Sequence, residues 1–435
     1  MTNDRLPIQS EIDTLSFQNV AKGIEKYFEQ NKTPSFSSAA PQVRLHEPTY
    51  GADEVIGAIE PLLTTRVTMG QKVEKFEQGF GEIGYKHVVS VNSGSSANLL
   101  AVAAVSNPAF EGGLRPGDEV LVPALCWSTT VWPLIQCGLV PVIVDIDLET
   151  LNIDLDLAAK ACSPKTKGIM PVHVYGNPCQ MDKMLALAEQ KGLHIIEDAC
   201  ESMGATFDGK PVGSFGIIGT FSTYFSHHIT TLEGGLCVTE SADCAEMLRV
   251  LRAHGWVRDS SNKDHYCAQN PEIDPKFLFV NTGYNLRLTE VQAAMGIRQL
   301  PKLSPFVSTR QKNAAYFREQ LEPYSNFFHF QKTTPKAEHS WFGFPIMVKE
   351  SAPFKAKDIT IYLNQAGIET RPLIGGNILR QPAMKLYPHR AAGNMPNSDL
   401  AMNNGFTFGN HQGICDQARA YIVDKVDEFM RRYAV

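Results

Sequence analysis

Residues that could transfer a proton lie in one short segment of the 435-residue sequence. Residues 220–235 form an apolar run with serines, then a polar loop that contains His227 and ends in Glu233-Gly234-Gly235. An imidazole accepts and donates protons near neutral pH, so His227 is a candidate general base. His228 is predicted to be a structural neighbour rather than a second base.

Three residues could contact a phosphate. Gly94 and Ser95 stand between a predicted strand at 87–91 and a predicted helix at 98–105, and a helix N-terminus favours an anion. Ser222, five residues before His227, could add a hydroxyl. Glycine and serine also simply cap helices, so this segment alone leaves both interpretations open. It is neither a Walker loop nor a GxGxxG fingerprint, which disfavours nucleotide hydrolysis and dinucleotide binding.

Two further residues are suited to a planar heterocycle. Asp198 ends a predicted strand at 194–198, where a carboxylate could pair with a protonated ring nitrogen. Trp127 follows a predicted strand at 119–123 and could stack on a ring. Taken alone, a helix cap would equally explain the aspartate, and core packing would explain the tryptophan.

The elements that position these residues form an alternating pattern from residue 50 onward. Strands are predicted at 87–91, 119–123, 140–145, 168–173 and 194–198, with a strand pair at 219–225 and 235–238 around the His227 loop. Intervening helices of about 10–15 residues indicate an α/β fold, with a mostly parallel sheet and helices on both faces. Ligands of such sheets lie at the carboxyl ends of the strands, where most of the candidate residues fall.

Three parts are predicted along the chain. Residues 1–45 form a helical arm, with its helix at 15–28, and a linker; residues 46–305 form a large domain; and residues 306–435 form a smaller α/β domain. Later elements are predicted as a polar loop at 259–275, helices at 289–300, 307–321 and 418–433, and a strand at 368–371.

Composition narrows the possible partners and compartment. The 40 basic and 46 acidic residues give a net charge of -6 without a basic run, which argues against nucleic acid or an anionic membrane as partner. No apolar stretch approaches the ~20 residues of a membrane span, and the first residues lack a secretory pattern, so a cytoplasmic protein is expected. The nine irregularly spaced cysteines indicate reduced thiols, and no CxxC or HExxH motif marks a metal site.

In their order along the chain, these residues resemble the DegT/DnrJ/EryC1/StrS family of sugar aminotransferases, which use pyridoxal 5′-phosphate (PLP). The similarity runs from about residue 46 to the C-terminus and is carried by residues 93–96, 127, 144–147, 151–154, 171–177, 197–198, 222, 227, 233–235 and 283–287. It implies the PLP-dependent transferase fold type I, which is aspartate aminotransferase-like, with a large mostly parallel-sheet domain and a smaller C-terminal α/β domain.

That family has a lysine where this sequence has His227. The lysine amine forms an imine with the cofactor aldehyde, whereas an imidazole cannot. The exchange resembles the branch of 3-dehydratases that act on nucleotide-linked 4-keto-6-deoxy sugars, and residues 201–207, 225–229, 251–256, 340–344, 371–377 and 409–412 are most similar to those with a GDP-linked substrate. The resemblance implies pyridoxamine 5′-phosphate (PMP) as working cofactor, loss of the C3 hydroxyl, and glutamate as the amino donor that regenerates PMP.

Individual roles follow from the same resemblance. His227 would be the catalytic base. The cofactor would be held by Gly94, Ser95 and Ser222 at its phosphate, Trp127 on its ring, Asp198 at its nitrogen, Glu201 near its 3-hydroxyl, and Asn285 reaching the phosphate from the neighbouring subunit of a homodimer. Substrate contacts are expected from Arg287, Arg371, Asn377 and His411, although each could also be a surface charge or a core polar group.

A sister branch with the same histidine acts on CDP-linked sugars and carries an iron–sulfur cluster on four cysteines. Cys200 matches the first of them, but the loop after Trp256, where the other three lie, holds only Cys267. Because such a cluster usually needs four thiolates, no iron–sulfur cluster is expected. The N-terminal arm, by contrast, is similar to the cluster-bearing branch, so the nucleotide stays open.

Three other functions remain as alternatives: an aminotransferase with His227 as its base, a CDP-sugar dehydratase, and a non-catalytic protein that binds a sugar or the cofactor. An aminotransferase would accumulate an amino sugar instead of a deoxy sugar, and a binding protein would show no turnover.

Overall fold

The computed structural model describes residues 14–32 and 36–433. The helices within them are α1 (Thr14–Gln30), α2 (Ala52–Leu63), α3 (Gln71–Gly81), α4 (Gly94–Val105), α5 (Ser128–Gln136), α6 (Leu155–Ala161), α7 (Met181–Lys191), α8 (Ala242–Arg252), α9 (Lys263–Gln269), α10 (Glu290–Gln299), α11 (Leu303–Leu321), α12 (Ala356–Gln365), α13 (Pro396–Asn404) and α14 (Asp416–Met430). The strands are β1 (His87–Val91), β2 (Glu119–Pro123), β3 (Val140–Val144), β4 (Thr166–Ile169), β5 (His194–Asp198), β6 (Thr206–Phe207), β7 (Lys210–Pro211), β8 (Ile218–Ser222), β9 (Gly235–Thr239), β10 (Phe328–Phe330), β11 (Ala337–Glu338), β12 (Phe344–Val348), β13 (Thr370–Pro372), β14 (Arg390–Ala391) and β15 (Gly405–Phe408).

An eight-stranded sheet forms the centre of the larger part of the molecule. Its strand order is β1-β9-β8-β5-β4-β2-β3-β14. Strand β9 pairs antiparallel with both of its neighbours, and every other pairing in the sheet is parallel. Strands β2, β8 and β9 are buried at all five positions, as expected of strands in a sheet that is covered on both faces. The predicted α/β fold with a mostly parallel sheet is therefore confirmed.

A second, antiparallel sheet has the order β10-β12-β15-β13. Its core with α11, α12 and α14 is dense in aromatic rings, and the rings of Phe317 and Phe408 meet edge to face at 5.0 Å. Helix α11 runs continuously through residue 305, and β14 leaves this C-terminal part to join the edge of the large sheet. The residue limits predicted for the domains stay a prediction.

Several local predictions need correction, among them β4, which ends at Ile169 and not at 173, and α11, which begins at Leu303 and not at 307. Helix α4 begins at Gly94, four residues earlier than predicted, because the Ser93 hydroxyl accepts the Ser96 N–H at 3.0 Å and caps it. Strand β8 ends at Ser222, not at 225. The predicted loop at 259–275 contains α9, which buries no residue and so has no apolar stripe that a sequence pattern could reveal.

None of the helices in the described residues is long and apolar enough to cross a membrane. Helix α1 covers the predicted helix at 15–28. Residues 1–13 of the predicted arm and residues 33–35 of its linker lie outside the described residues.

Candidate active site

A cavity of about 410 Å³ lies where the carboxyl ends of the large-sheet strands face the smaller sheet. Nine of the twelve predicted site residues line it: Gly94, Ser95, Trp127, Asp198, Glu201, Ser222, His227, Arg371 and His411. The other three, Asn285, Arg287 and Asn377, do not. The fold therefore brings most of the candidates from distant parts of the sequence into one site.

The predicted phosphate site is formed by the first turn of α4 and the end of β8. Gly94 has no side chain, and a β-carbon there would lie 2.5 Å from the Ser222 β-carbon, 2.9 Å from its hydroxyl and 3.1 Å from the Cys200 sulfur. Only glycine leaves this space open for a ligand. The Ser95 hydroxyl lies 3.0 Å from the Thr129 hydroxyl, which also lines the cavity and was not predicted. Free N–H groups at the N-terminus of α4 favour an anion.

Asp198 is buried at the end of β5, and three groups hold its carboxylate. Oδ2 accepts hydrogen bonds from the Asn98 amide and the Thr130 hydroxyl, each at 2.8 Å, and Oδ1 accepts the Cys200 N–H at 3.2 Å. These bonds fix the carboxylate that would face a ring nitrogen. Trp127 is 58% exposed, so core packing does not explain it, and its indole is available to stack on a ligand.

Glu201 lies half-buried in the same cavity. Its carboxylate accepts the Tyr175 N–H at 2.9 Å. Burial, with a smaller contribution from the nearby negative charge of Asp198, raises the pKa of Glu201 to about 7. Near neutral pH this carboxyl therefore exchanges a proton readily and can share one with a ligand hydroxyl.

His227 lies in the turn after β8, where its N–H donates to the Tyr224 carbonyl at 2.9 Å. Its ring is half-buried and packs 5.0 Å from the Phe342 ring. Nδ1 is buried without a hydrogen-bond partner, which leaves Nε2 as the nitrogen accessible from the cavity. Burial, followed by the positive charge of Arg310, lowers the pKa of His227 to about 3. The imidazole is therefore neutral near pH 7 and can accept a proton.

Arg310 is a cavity residue that was not predicted. It is only 3% exposed, and its Nη1 donates to the Phe342 carbonyl at 2.9 Å and to the Asn410 carbonyl. Burial lowers the pKa of its guanidinium to about 9. A sequence signal existed, because Arg310 occupies the buried stripe of α11, whose other members are Leu303, Val307, Asn313, Ala314, Phe317 and Leu321. A charged residue at such a position indicates a buried polar role.

His411 lines the cavity, but backbone groups engage both of its ring nitrogens. Nε2–H donates to the Arg44 carbonyl at 3.1 Å, and Nδ1 accepts the Gly413 N–H at 3.2 Å, an assignment made from these partners. His411 therefore supports the cavity wall, and its predicted substrate contact stays a prediction.

Three predicted residues lie outside the cavity. Asn377 is fully buried; its Nδ2 donates to Asp399 at 2.8 Å and its Oδ1 accepts the Leu379 N–H, so it stabilises a local turn. This placement departs from the predicted substrate contact. Asn285 is exposed, and its Oδ1 accepts the Arg287 Nε–H at 3.0 Å. A partner chain would have to bring Asn285 to a cavity, so that role stays a prediction.

The two cysteines considered for a cluster lie in different places. Cys200 borders the cavity, whereas Cys267 lies on α9. Across residues 14–32 and 36–433, no group of three or more histidine, cysteine or acidic side chains could hold a metal ion.

An anion site that only glycine keeps open, an exposed indole and a fixed buried carboxylate suit a phosphorylated pyridine. With the parallel sheet, they define the class of PLP-dependent enzymes with the aspartate aminotransferase fold. The chain belongs to the DegT/DnrJ/EryC1/StrS aminotransferase family, whose model matches residues 50–427.

Three relatives place the chain within that family. It is 42% identical over 369 residues to GDP-4-keto-6-deoxy-D-mannose 3-dehydratase of Yersinia pseudotuberculosis, covering 83% of this chain and 92% of the relative. It is 35% identical to dTDP-4-dehydro-2,6-dideoxy-D-glucose 3-dehydratase of Saccharopolyspora spinosa, over 95% and 92% of the two chains. The structure of the E. coli GDP-4-keto-6-deoxy-D-mannose 3-dehydratase with bound hydrated PLP matches with a TM-score of 0.83 and 38% identity, covering 88% of this chain and 99% of the other.

Proposed function

We propose that this protein is a PMP-dependent 3-dehydratase of a nucleotide-linked 4-keto-6-deoxy hexose. The product is the corresponding 4-keto-3,6-dideoxy sugar, and glutamate regenerates the PMP amine. One observation supports the proposal: an imidazole, His227, lines the same cavity as Gly94, Ser95, Ser222, Trp127 and Asp198, which we expect to contact the cofactor from within one subunit. The chain lacks the lysine amine but keeps the other residues expected to hold the cofactor. This combination is expected of an enzyme with a changed reaction rather than of an inactive protein.

The residues in the cavity suit a non-covalently bound cofactor. Gly94, Ser95 and Ser222 would hold the phosphate, Trp127 would stack on the ring, and Asp198 would keep its nitrogen protonated. When bound, PMP would supply an amine that condenses with the sugar C4 ketone and a ring that withdraws electrons as the C3 hydroxyl leaves. Because no covalent bond to His227 is possible, these contacts alone must retain the cofactor.

His227 would move the protons of the dehydration. Through Nε2, its neutral imidazole would accept the proton lost from the amine-bearing carbon of PMP and would deliver it to the C3 hydroxyl, which departs as water. Phe342 packs against the ring and helps hold its orientation, while Arg310 lies nearby and favours the neutral form. Glu201, whose pKa is raised to about 7, would share a proton with the 3-hydroxyl group of the cofactor ring.

The preferred substrate of this proposal is GDP-4-keto-6-deoxy-mannose. The support is the 42% identity to the Yersinia enzyme of that name. A dTDP-linked sugar is the second candidate, because the Saccharopolyspora relative aligns over 95% of this chain and so extends into the N-terminal arm. The two relatives share the 3-dehydration and differ in the nucleotide and in the sugar, which is a 2,6-dideoxy-glucose for the Saccharopolyspora enzyme.

The assembly and the location are part of the same proposal. A homodimer is proposed because Asn285 is exposed and does not line its own cavity, as expected of a residue that serves a partner's site. A cytoplasmic location is supported by the nine cysteines, none of which forms a disulfide within the described residues.

The test is an incubation of purified protein with PMP, glutamate and, separately, GDP-, CDP- and dTDP-linked 4-keto-6-deoxy hexoses. Mass spectrometry should detect a 3-deoxy product and an ammonia assay should detect its release, with one nucleotide clearly preferred. With PMP-loaded protein freed of excess PMP, and without glutamate, product formation should stop at one turnover per site. If an amino sugar accumulates instead, the protein is an aminotransferase, and if no substrate turns over, the dehydratase proposal is wrong.

A further inference from the structure

Residues 43–47 run along the cavity and are fixed by main-chain bonds to the smaller sheet. Val43 forms a parallel bridge with Ile368; its N–H donates to the Gly367 carbonyl at 2.8 Å and its carbonyl accepts the Glu369 N–H at 2.9 Å. The Leu45 N–H donates to the Glu369 carboxylate at 2.9 Å. The segment is thus held as an added strand would be.

The turn at residues 409–412, which follows β15, holds the other side of the segment 43–47. The Arg44 carbonyl accepts the His411 Nε2–H at 3.1 Å, and the Glu47 carbonyl accepts the Gln412 amide at 3.1 Å. A β-carbon on Gly409 would lie 2.2 Å from the Arg44 carbonyl oxygen, so close packing needs glycine there. With its backbone fixed on both sides, the segment places Leu45 and His46 in the cavity wall.

His46 reaches the loop that carries His227. Its ring packs edge to face on Phe225 with ring centroids 4.6 Å apart, and Phe225 lies two residues before His227. Residue 46 also precedes the stretch 50–427 that matches the family model. His46 therefore belongs to this site through the fold, and no residue role predicted from the sequence includes it.

Arg371 lies beside His46 in the same wall. Both residues line the cavity, and the bond from the Leu45 N–H to the Glu369 carboxylate joins their two segments. Burial lowers the pKa of His46 first, and the positive charge of Arg371 lowers it next. Within the part of the chain that the structure describes, no carboxylate lies within ion-pair distance of Arg371. The nearby Glu369 is engaged by Leu45, and neither it nor Glu47 lines the cavity. Within the described residues, Arg371 and His46 thus line the cavity without an ion pair to a protein carboxylate.

We propose that His46 and Arg371 together form an oxyanion subsite of this cavity. The subsite takes either the carboxylate of the amino donor or the diphosphate of the nucleotide sugar. The identity of these anions rests on the function proposed above, whereas the subsite itself rests on the geometry. Arg371 supplies a permanent charge, and His46 supplies an N–H donor whose position the 43–47 segment and Phe225 fix.

The test compares two variants of the PMP-loaded protein by calorimetric titration with three probes. His46→Phe keeps a ring against Phe225 but removes the donor, and His46→Gln keeps a donor. Glutarate reports the carboxylate source, while GDP and inorganic pyrophosphate report the diphosphate source. We expect His46→Phe to lower the affinity for glutarate, or for both GDP and pyrophosphate, by about ten-fold or more. His46→Gln should retain most of the wild-type affinity.

The matched control is His389→Phe, which changes an exposed histidine outside the cavity and should leave every affinity unaltered. Equal affinities of wild type and His46→Phe for all probes would overturn the subsite. The subsite would also be overturned if His46→Phe and His46→Gln lowered the affinities equally, since that would indicate a general disturbance of the site. Absence of probe binding to the wild type would overturn it as well. Dehydration is assayed separately on the wild type, so a protein that binds the probes but forms no deoxy sugar would refute only the proposed function.

Discussion

Gly94 and Ser222 approach so closely that a β-carbon on Gly94 would lie 2.5 Å from the β-carbon of Ser222. The two residues are 128 positions apart in the sequence, and α4 and β8 bring them together. Real β-carbons do not pack at this distance. The pair therefore leaves space for a phosphate only while residue 94 has no side chain.

Gly94→Ala is expected to weaken PMP binding by about ten-fold or more, because a crowded methyl group costs about 1–3 kcal/mol and displaces the Ser222 hydroxyl. Fluorescence titration of the apoprotein with PMP measures the change. Gly23→Ala is the control, since nothing lies within 4 Å of a β-carbon there on exposed α1. Unaltered affinity in Gly94→Ala would show that the phosphate binds elsewhere.

His227→Asn is expected to bind PMP normally and to lose dehydration by about 10²-fold or more, because asparagine cannot carry the proton. Its amide is polar and close in size to the ring, so the contact with Phe342 suffers little. Rates of 3-deoxy product formation and PMP titrations separate the two effects. A near-normal rate with His227→Asn would exclude the catalytic role of this residue.

The sequence predicted the large sheet well because its strands are buried and most of them are separated along the chain by helices. The limits of β2, β8 and β9 were placed within a few residues, and all five positions of each of these strands are buried. The two-residue strand β14 could not be predicted, since its pairing with β3 depends on contacts between residues some 250 positions apart. Helix α9 was missed for the reason that none of its side chains is buried.

The site was predictable where a residue type has a definite chemical role at a strand end, as with Asp198 and His227. It was not predictable where the fold alone supplies the contact. His46 reaches the cavity only because Val43, in the same segment, pairs with Ile368. Tyr175 also lines the cavity, and its backbone has a φ of +56°, in the left-handed region. Asn377 was placed in the substrate pocket because of its neighbours in sequence, yet its amide is used by Asp399 and by the next turn.

Replacing Arg310 should alter the pH dependence of the rate. In the wild type, the lowered pKa of His227 keeps its base form down to acidic pH, and base activity is lost only as the pH falls through that value. Arg310→Met removes the positive charge, so the pKa of His227 rises part of the way back and the acid limb of kcat moves to higher pH. Burial, the larger cause, remains, so the limb stays below the ordinary histidine range.

Arg310→Lys is the matched control for that experiment, because it retains a positive charge in the same place. Its acid limb should stay close to that of the wild type even if the loss of bonds to Phe342 and Asn410 lowers the rate. Superimposable profiles for Arg310→Met and the wild type would show that this charge does not tune His227.

Acid should destabilise the fold through His411. Burial, followed by Arg310, lowers the pKa of His411 to about 3 in the folded protein, whereas the unfolded chain has the ordinary value. The neutral imidazole therefore contributes its full stabilisation above the pKa of the unfolded chain. As the pH falls from that value towards the pKa of the folded protein, the free energy of unfolding decreases by about 1.4 kcal/mol per pH unit for each such group. His411→Gln retains a donor for the Arg44 carbonyl but does not titrate. Urea unfolding at pH 7 and pH 5 should give a smaller loss of unfolding free energy for this variant, whereas the exposed His389→Gln should match the wild type.

Mixing two inactive variants decides whether Asn285 serves the partner's site. Its exposed amide lies outside its own cavity, and an aspartate in its place would repel a cofactor phosphate.

If Asn285 acts across the interface, a mixed dimer of His227→Asn and Asn285→Asp has one site with both defects and one with none. Equal co-refolding should then recover about a quarter of the wild-type rate, since half of the dimers are mixed. If Asn285 acts within its own subunit, every site of the mixed dimer carries a defect and no activity returns. Product formation across a series of mixing ratios, with each variant alone as control, separates the two arrangements.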